Sequence, residues 1–329
     1  MNSLNTLQRE LINQFQGGFP PARQSFSCVA ASLGTKETNL IQTLQGLLHD
    51  GYLSRFGPLY NAEKLGGDVT LAAMAVDERR YNQVADVVNT HAEVAHNYRR
   101  DHALNMWFVL ACEQPEAIEN TLRQIERETG IKVYNFPRQR GFYLGLFLHL
   151  DELGGVETVS MPAVPDSSAP VQLDAMDRKI IAATQSGLPL VPEPWQAVAQ
   201  TLHLHENTLL QRIQAMQASG VIRRIGVIPN HYRLGLKANG MSVWDIPADK
   251  AAALGEKVAA LDFVSHCYLR PRYPGVWPYN LFAMVHGVDR HTVLQKAAQI
   301  EALLGPECHA HEVLFSSAIL KKTGFRLVA

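Results

Sequence analysis

The stretch GYLSRFGPLYNAEKLG at residues 51–66 returns in altered form as GVIRRIGVIPNHYRLG at residues 220–235. Gly51, Arg55, Gly57, Asn61, Leu65 and Gly66 recur as Gly220, Arg224, Gly226, Asn230, Leu234 and Gly235, a constant offset of 220 − 51 = 169. Downstream, HNYRR at 96–100 aligns with HCYLR at 266–270. Asn105–Phe108 aligns with Asn280–Ala283 after a Pro-rich insertion, Pro271–Pro278. Matches of this extent mark an internal duplication. Between the copies, Glu152–Pro170 reads ELGGVETVSMPAVPDSSAP, the composition of a tether.

Each copy opens with helical patterning. In the second, Leu173, Met176, Ile180 and Ile181 give one amphipathic helix, Trp195–Thr201 a second and His205–Ser219 a third. The first repeats this with Leu4–Phe15, Ser27–Leu33 and Lys36–Asp50. Three short helices leading into a turn and a strand outline a winged helix-turn-helix. Then follow a strand (69–76), a helix (79–91), strands at 94–101 and 105–112, a helix (115–129) and a strand from about Val133. The second copy places its helices near 248–260 and 290–304. The order β-α-β-β-α-β is ferredoxin-like. The expected fold is therefore α+β, in two tandem repeats of winged helix-turn-helix plus ferredoxin-like domain. Expected boundaries are 1–66 and 67–150 for the first repeat, a linker at 151–171, then 172–235 and 236–329. This order resembles the Lrp/AsnC regulator family.

Composition bounds the chemistry. The chain of 329 residues is 47% hydrophobic, with a net charge of −1 and a pI near 6.9. Its apolar runs are too short to span a bilayer, and its first residues lack a basic start and an apolar core, so a cytoplasmic protein without membrane contact is expected. The four scattered cysteines read as reduced thiols. Nucleic-acid binders carry clustered Lys and Arg. Here the recognition helices offer Lys36 against Glu37 in one copy and Arg212 in the other, which argues against DNA.

On an extended strand His96, Tyr98 and Arg100 share a face, continued by His102; so do His266, Tyr268 and Arg270. Such a face cannot pack under helices without stranding polar groups, so it must be the open face of each sheet. Docking the two open faces would enclose a site of cations, phenols and imidazoles, with Trp107 and Phe282 alongside. That lining suits a flat, polyanionic, aromatic ligand.

HNYRRDHALNMWF at 96–108 and HCYLRPRYPGVWPYNLF at 266–282 resemble the two paralogous subunits of the siroheme decarboxylase family, here fused as in heme d1 pathways. The Leu320-Lys-Lys-Thr tail belongs to the same resemblance. It implies a non-oxidative carboxy-lyase that converts the C12 and C18 acetates of siroheme to methyls, giving 12,18-didecarboxysiroheme. Siroheme would be substrate, with no added cofactor and no metal beyond its own iron; a homo-oligomer is compatible with it. A ring of carboxylates calls for Arg, and Arg55, Arg100, Arg224 and Arg270 recur in both copies. Arg55, Tyr98, Arg100, Trp107, Arg224, Tyr268 and Arg270 are accordingly the expected substrate-binding residues. Loss of CO2 needs a proton donor that works near neutral pH. His102 and His231, each present in one copy only, are the expected catalytic pair. His96, His266 and His286 are candidate iron ligands or supports of the groups that touch the substrate. A transcription regulator and a non-catalytic tetrapyrrole carrier are the alternatives.

Overall fold

The computed structural model of the chain describes residues 4–112, 114–160 and 172–322. Its elements follow the repeat. Helices α1 (Thr6–Phe15), α2 (Ser25–Ser32) and α3 (Glu37–His49) lead into β1 (Leu53–Tyr60). The ferredoxin-like part holds β2 (Asp68–Met74), α4 (Tyr81–Thr90), β3 (Val94–Arg100), β4 (Met106–Cys112), α5 (Pro115–Thr129), β5 (Tyr134–Pro137) and β6 (Arg140–Leu144). A hairpin of β7 (Phe147–Leu150) and β8 (Val156–Val159) closes the first half. The second half has α6 (Ala175–Thr184), α7 (Pro194–Thr201), α8 (Glu206–Ala218) and β9 (Ile222–Pro229). It continues with α9 (His231–Leu234), β10 (Ala238–Asp245), α10 (Ala251–Ala259), β11 (Val264–Leu269), β12 (Leu281–Gly287), α11 (Arg290–Leu304) and β13 (Ala310–Lys322).

The wings of the two helix-turn-helix units pair with each other. β1 runs antiparallel to β9 with Gly57 opposite Gly226, the pseudo-twofold point of the ribbon. A side chain on Gly226 would collide with the Phe15 carbonyl 2.1 Å away, which explains the glycine. Both units share one core, in which Leu11, Phe26 and Leu44 join Ile180, Trp195 and Ile213. The β7–β8 hairpin docks on α1, where Gln16 and Asn13 each exchange hydrogen bonds with its backbone. Part of the stretch expected as linker is thus a strand, β8; residues 161–171 and Thr323 of the tail lie outside the described residues.

The ferredoxin-like parts form one nine-stranded order, β5-β2-β4-β3-β13-β10-β12-β11-β6. One long strand, β13, and the consecutive short strands β5 and β6 stitch it together. β13 pairs with β10 through Ala310–Phe315 and then with β3 through Ser316–Lys322. In the same way the chain pairs as β5 with β2 and as β6 with β11. Along β4, Met106, Phe108 and Leu110 lie under α4 and α5, while Trp107 points to the opposite face; on β12 Ala283 and Val285 lie under helices and Phe282 opposite. The two open faces therefore pack together, around Trp107, Phe136, Trp277, Phe282 and Leu314. Trp107 stands 5.0 Å from Trp277 and 5.2 Å from Phe136, ring to ring.

Because each half lends half a strand to the other, neither completes its sheet alone. Residues 4–160 and 172–322 produced as separate chains are expected to co-purify as a 1:1 pair, and to aggregate when produced singly. Size-exclusion chromatography of each half alone and of both together checks this; a stable monomer of either half would contradict it.

Candidate functional site

The inter-sheet face has a dry aromatic middle and a polar end. At that end the strand starts and stops of both halves meet α9, and the side chains on the inward face turn from apolar to titratable. From the first half come His96, Tyr98 and Arg100 on β3. Lys322, at the end of β13, pairs with His96 across the ladder. Against them stand His231 and Tyr232 of α9, the Lys322 ammonium lying 5.4 Å from the Tyr232 ring. Arg100 is buried at 7% exposure; its Nη1 donates to the Leu314 carbonyl at 2.7 Å, and its Nε has no protein partner.

The pseudo-equivalent group carries His266, Tyr268 and Arg270 on β11. Arg270 donates to the Phe136 carbonyl as Arg100 does to that of Leu314, and its Nε is likewise unpartnered. Around them the repeat has diverged. Where the first group has Tyr232 and His231, the second has Glu63 and Ala62, at the 169-residue offset, and Leu144 stands opposite His266 where Lys322 stands opposite His96. Glu63 is paired with Arg138, whose guanidinium lies 5.8 Å from the Tyr268 ring.

A hydrogen-bonded chain joins the two groups. Asn239 Nδ2 donates to His231 Nε2 at 3.1 Å, and its Oδ1 accepts from His286 Nδ1 at 2.6 Å. His286 Nε2 meets Ser265 Oγ at 2.7 Å, and Ser265 Oγ meets His266 Nδ1 at 2.8 Å.

Burial decides the charge of these imidazoles. Desolvation, followed by the Lys322 charge, lowers His96 to about 4; desolvation, Lys322 and His266 lower His231 to about 3. Desolvation, then Arg223 and Arg270, lower His266 to about 4, and His286 falls well below its ordinary value. Burial also brings Arg100 and Arg270 down to about 10, still charged at neutral pH, and raises Tyr98 and Tyr268 to about 12. The polar end thus holds neutral imidazoles among fixed cations.

This carries a stability consequence of definite sign. The unfolded chain takes up protons on these histidines near pH 6.5, the folded chain only near 4 or below. Their contribution is complete above about pH 6.5 and is lost as pH falls towards 4 and lower. The melting temperature is expected to drop over that window, and less steeply in His96→Gln. A flat profile from pH 7 to 4 would exclude these histidines as the cause.

Several expected site residues lie elsewhere. Trp107 is fully buried in the dry core, its Nε1 donating to the Leu104 carbonyl at 2.6 Å, so it packs the sheets and does not line the polar end. Arg55 donates to the carbonyl of Gln185 and Arg224 to that of Gln16 at 2.8 Å. These carbonyls end α6 and α1, so both arginines tie down helix C-termini beneath the paired wings, where cations are favourable. His102 sits in the β3–β4 turn at the other end of the core. Its Nδ1 accepts the Leu104 N–H at 2.9 Å, and its ring meets Trp277 edge-on at 5.3 Å. Its Nε2 lies 3.6 Å from Glu312, ten residues along β13 from Lys322, or roughly 30 Å of strand. His102 makes its contacts with Leu104, Trp277 and Glu312, and His231 makes its own with Asn239, Tyr232 and His286. His286 has both ring nitrogens engaged by Asn239 and Ser265, which removes it as an iron ligand and leaves it the supporting role. His96, whose Nδ1 is buried without a partner, and His266 keep a nitrogen available.

Tyr232, Asn239, Ser265 and Lys322 were not read from the sequence. Asn239, Ser265 and His286 stand where the first half has Val69, Ala95 and Ala111, so polar-for-apolar mismatch between the copies was the available signal. No grouping of three or more His, Cys, Asp or Glu capable of holding a metal occurs among the described residues. All four cysteines are free. A groove between α2 and α7 carries Glu37 and Glu193 without a cation and is unsuited to a polyanion. Arg212 on α8 is engaged by Asp174 and Asp177.

The fold and the polar end define a pair of AsnC-type ligand-binding domains fused to helix-turn-helix units. Residues 64–142 and 233–321 match the AsnC-like ligand binding domain, and residues 177–223 match the siroheme decarboxylase NirDL-like HTH domain. The chain is 32% identical to the siroheme decarboxylase NirDL subunit of Paracoccus denitrificans, covering 98% of this chain and 97% of that one. It is 33% identical to a siroheme decarboxylase of Hydrogenobacter thermophilus, over 95% and 92% of the two chains. The crystal structure of the siroheme decarboxylase NirDL superposes with a TM-score of 0.71 at 29% identity, covering 96% of this chain and 92% of that one; its co-complex with an iron-uroporphyrin III analogue gives 0.70. The chain belongs to the siroheme decarboxylase family. No helix among the described residues is long and apolar enough to cross a membrane.

Proposed function

We propose that this chain is a carboxy-lyase that removes the C12 and C18 acetate carboxylates of siroheme as CO2, giving 12,18-didecarboxysiroheme for heme d1 synthesis, with siroheme iron the only metal involved. The observation that carries it is the polar end of the inter-sheet face. There Arg100, Arg270 and Lys322 present fixed positive charge beside neutral imidazoles, with aromatic walls from Tyr98, Tyr232 and Tyr268. Carboxylates are held by the guanidinium donors that the protein leaves unused.

Each step converts R–CH2–COO⁻ and one proton into R–CH3 and CO2. The C–C bond breaks, its electron pair passes to the methylene carbon and its conjugated ring, and a proton closes the new C–H bond. His231 is the proton source in this reading, neutral until substrate carboxylates beside it raise its pKa. His96, with its open nitrogen, faces the ring iron or a carboxylate. The helix-turn-helix units act as a scaffold, since Arg55 and Arg224 of their paired wings are half-buried and bonded to helix-end carbonyls and their one recognition-helix arginine is held by two aspartates.

Anaerobic incubation of purified protein with siroheme, followed by mass spectrometry of the tetrapyrrole, tests this. Loss of two CO2 units is expected. Recovery of intact siroheme bound to the protein would identify a carrier, and salt-sensitive retention of duplex DNA without siroheme binding would identify a regulator.

A further inference from the structure

The chain His231–Asn239–His286–Ser265–His266 crosses three adjacent strands and α9, and every heavy-atom separation in it lies between 2.6 and 3.1 Å. Its direction follows from elementary donor rules. The amide Nδ2 of Asn239 can only donate, so His231 Nε2 carries no proton. The amide Oδ1 can only accept, so His286 Nδ1 carries one and its Nε2, in the neutral ring, accepts from the Ser265 hydroxyl. The Ser265 oxygen then accepts from His266 Nδ1–H. All bonds point from His266 towards His231. Neutral His231 is thereby the Nδ1–H tautomer, and neutral His266 keeps a bare lone pair on Nε2.

Protonation of His231 at Nε2 is incompatible with that polarity. The amide must turn over to offer Oδ1; His286 must then accept at Nδ1 and donate from Nε2, the Ser265 hydroxyl must donate to His266 Nδ1, and the His266 proton must sit on Nε2. The proton count of Asn239, His286, Ser265 and His266 is unchanged, and only His231 gains a proton. At the equivalent places the first half has Ala62, Val69, Ala111 and Ala95, which carry no side-chain donors or acceptors.

We propose that Asn239, His286 and Ser265 are positioning residues forming a hydrogen-bond chain of two polarities, which sets the tautomer of His231 and couples its protonation to the tautomer of His266. Before substrate enters, His266 offers a lone pair, the form that binds a metal or accepts a proton. Once substrate carboxylates raise the His231 pKa and it takes up a proton from solvent, His266 becomes an Nε2–H donor. The ends of the site change character together, and only in one direction of the pseudo-twofold. This rests on His231 as the proton source.

The test uses the full chain with 15N-labelled histidine. The tautomers of His231 and His266 are read from ring nitrogen shifts at neutral pH without substrate, and kcat and KM for siroheme are measured in parallel. The wild type is expected to show His231 as Nδ1–H and His266 as Nδ1–H. Ser265→Ala is expected to leave His266 a tautomer mixture and to lower kcat by ~10 to 100-fold, as for lost supporting contacts elsewhere, with KM little changed. His286→Gln, which replaces the ring with an amide that can still meet Ser265, is expected to change both less than Ser265→Ala does. Unchanged tautomers in both variants overturn the proposal, whether or not kcat falls, because a fall alone would be structural. Shifted tautomers with unchanged kcat overturn it equally. If His231→Ala retains full kcat, the reading beneath the proposal fails, while the tautomer shifts still report whether the chain exists.

Discussion

His231→Ala is expected to lower kcat by ~10² to 10⁴-fold, the loss typical of a positioned general acid, while siroheme still binds. The ring is fixed against Tyr232 at 4.3 Å and His286 at 5.3 Å, so its removal takes away a donor held in one orientation. Burial lowers its pKa to about 3, so as the proposed proton source it would need substrate carboxylates to raise that value. Siroheme binding near neutral pH should therefore take up protons in the wild type and fewer in the variant. Calorimetry in buffers of different ionisation enthalpy measures that difference. His102→Ala is the control: its imidazole packs on Trp277 at the far end of the core and should leave kcat near normal. The reverse pattern, a large His102 effect and a small one for His231, would move the site to the other end of β13.

Arg100→Ala is expected to act on binding, raising KM by ~10 to 150-fold, the equivalent of about 1.5–3 kcal/mol for a charge-assisted contact. The residue spends one donor on the Leu314 carbonyl and keeps Nε and the rest of its fork for a carboxylate. Arg100→Lys should recover only part of the loss, because an ammonium supplies charge without the planar fork. Arg270→Ala tests the other group, where Glu63 and Arg138 have replaced Tyr232 and its surroundings. A smaller effect there is expected, since the nearby carboxylate opposes a polyanion. Equal effects would mean that substrate engages both groups alike.

The duplicated stretch at 51–66 and 220–235 made the architecture legible. It marks the repeat, places a strand after three helices, and its glycines mark the close crossing of β1 and β9. Alternation along β3 and β11 likewise placed His96, Tyr98, His266 and Tyr268 on the inward face. Repetition misled at Arg55 and Arg224, because what both halves keep is the scaffold, and each arginine holds the end of a helix. Trp107 shared the inward face but sits in its dry part, and strand alternation carries no information about position along a face. The crossing of β13 was not legible either: nothing local distinguishes residues that pair with β10 from those that pair with β3. The hydrogen-bonded chain lies where the copies disagree, at Ala62 against His231, Val69 against Asn239, Ala95 against Ser265 and Ala111 against His286.

The stitching by β13 also bears on how the molecule is made. β3 receives its outer neighbour from Ser316–Lys322, and Ser316 follows Arg100 by 316 − 100 = 216 residues. At ~5–20 residues per second, the ribosome leaves that edge bare for roughly ten to forty seconds after the strand has emerged. An unpaired strand of that age is an aggregation template unless it is charged. Arg99 and Arg100 sit at its end, so the residue that pairs with Glu78 and the one proposed to bind a polyanionic substrate would also keep nascent chains apart until the last strand arrives.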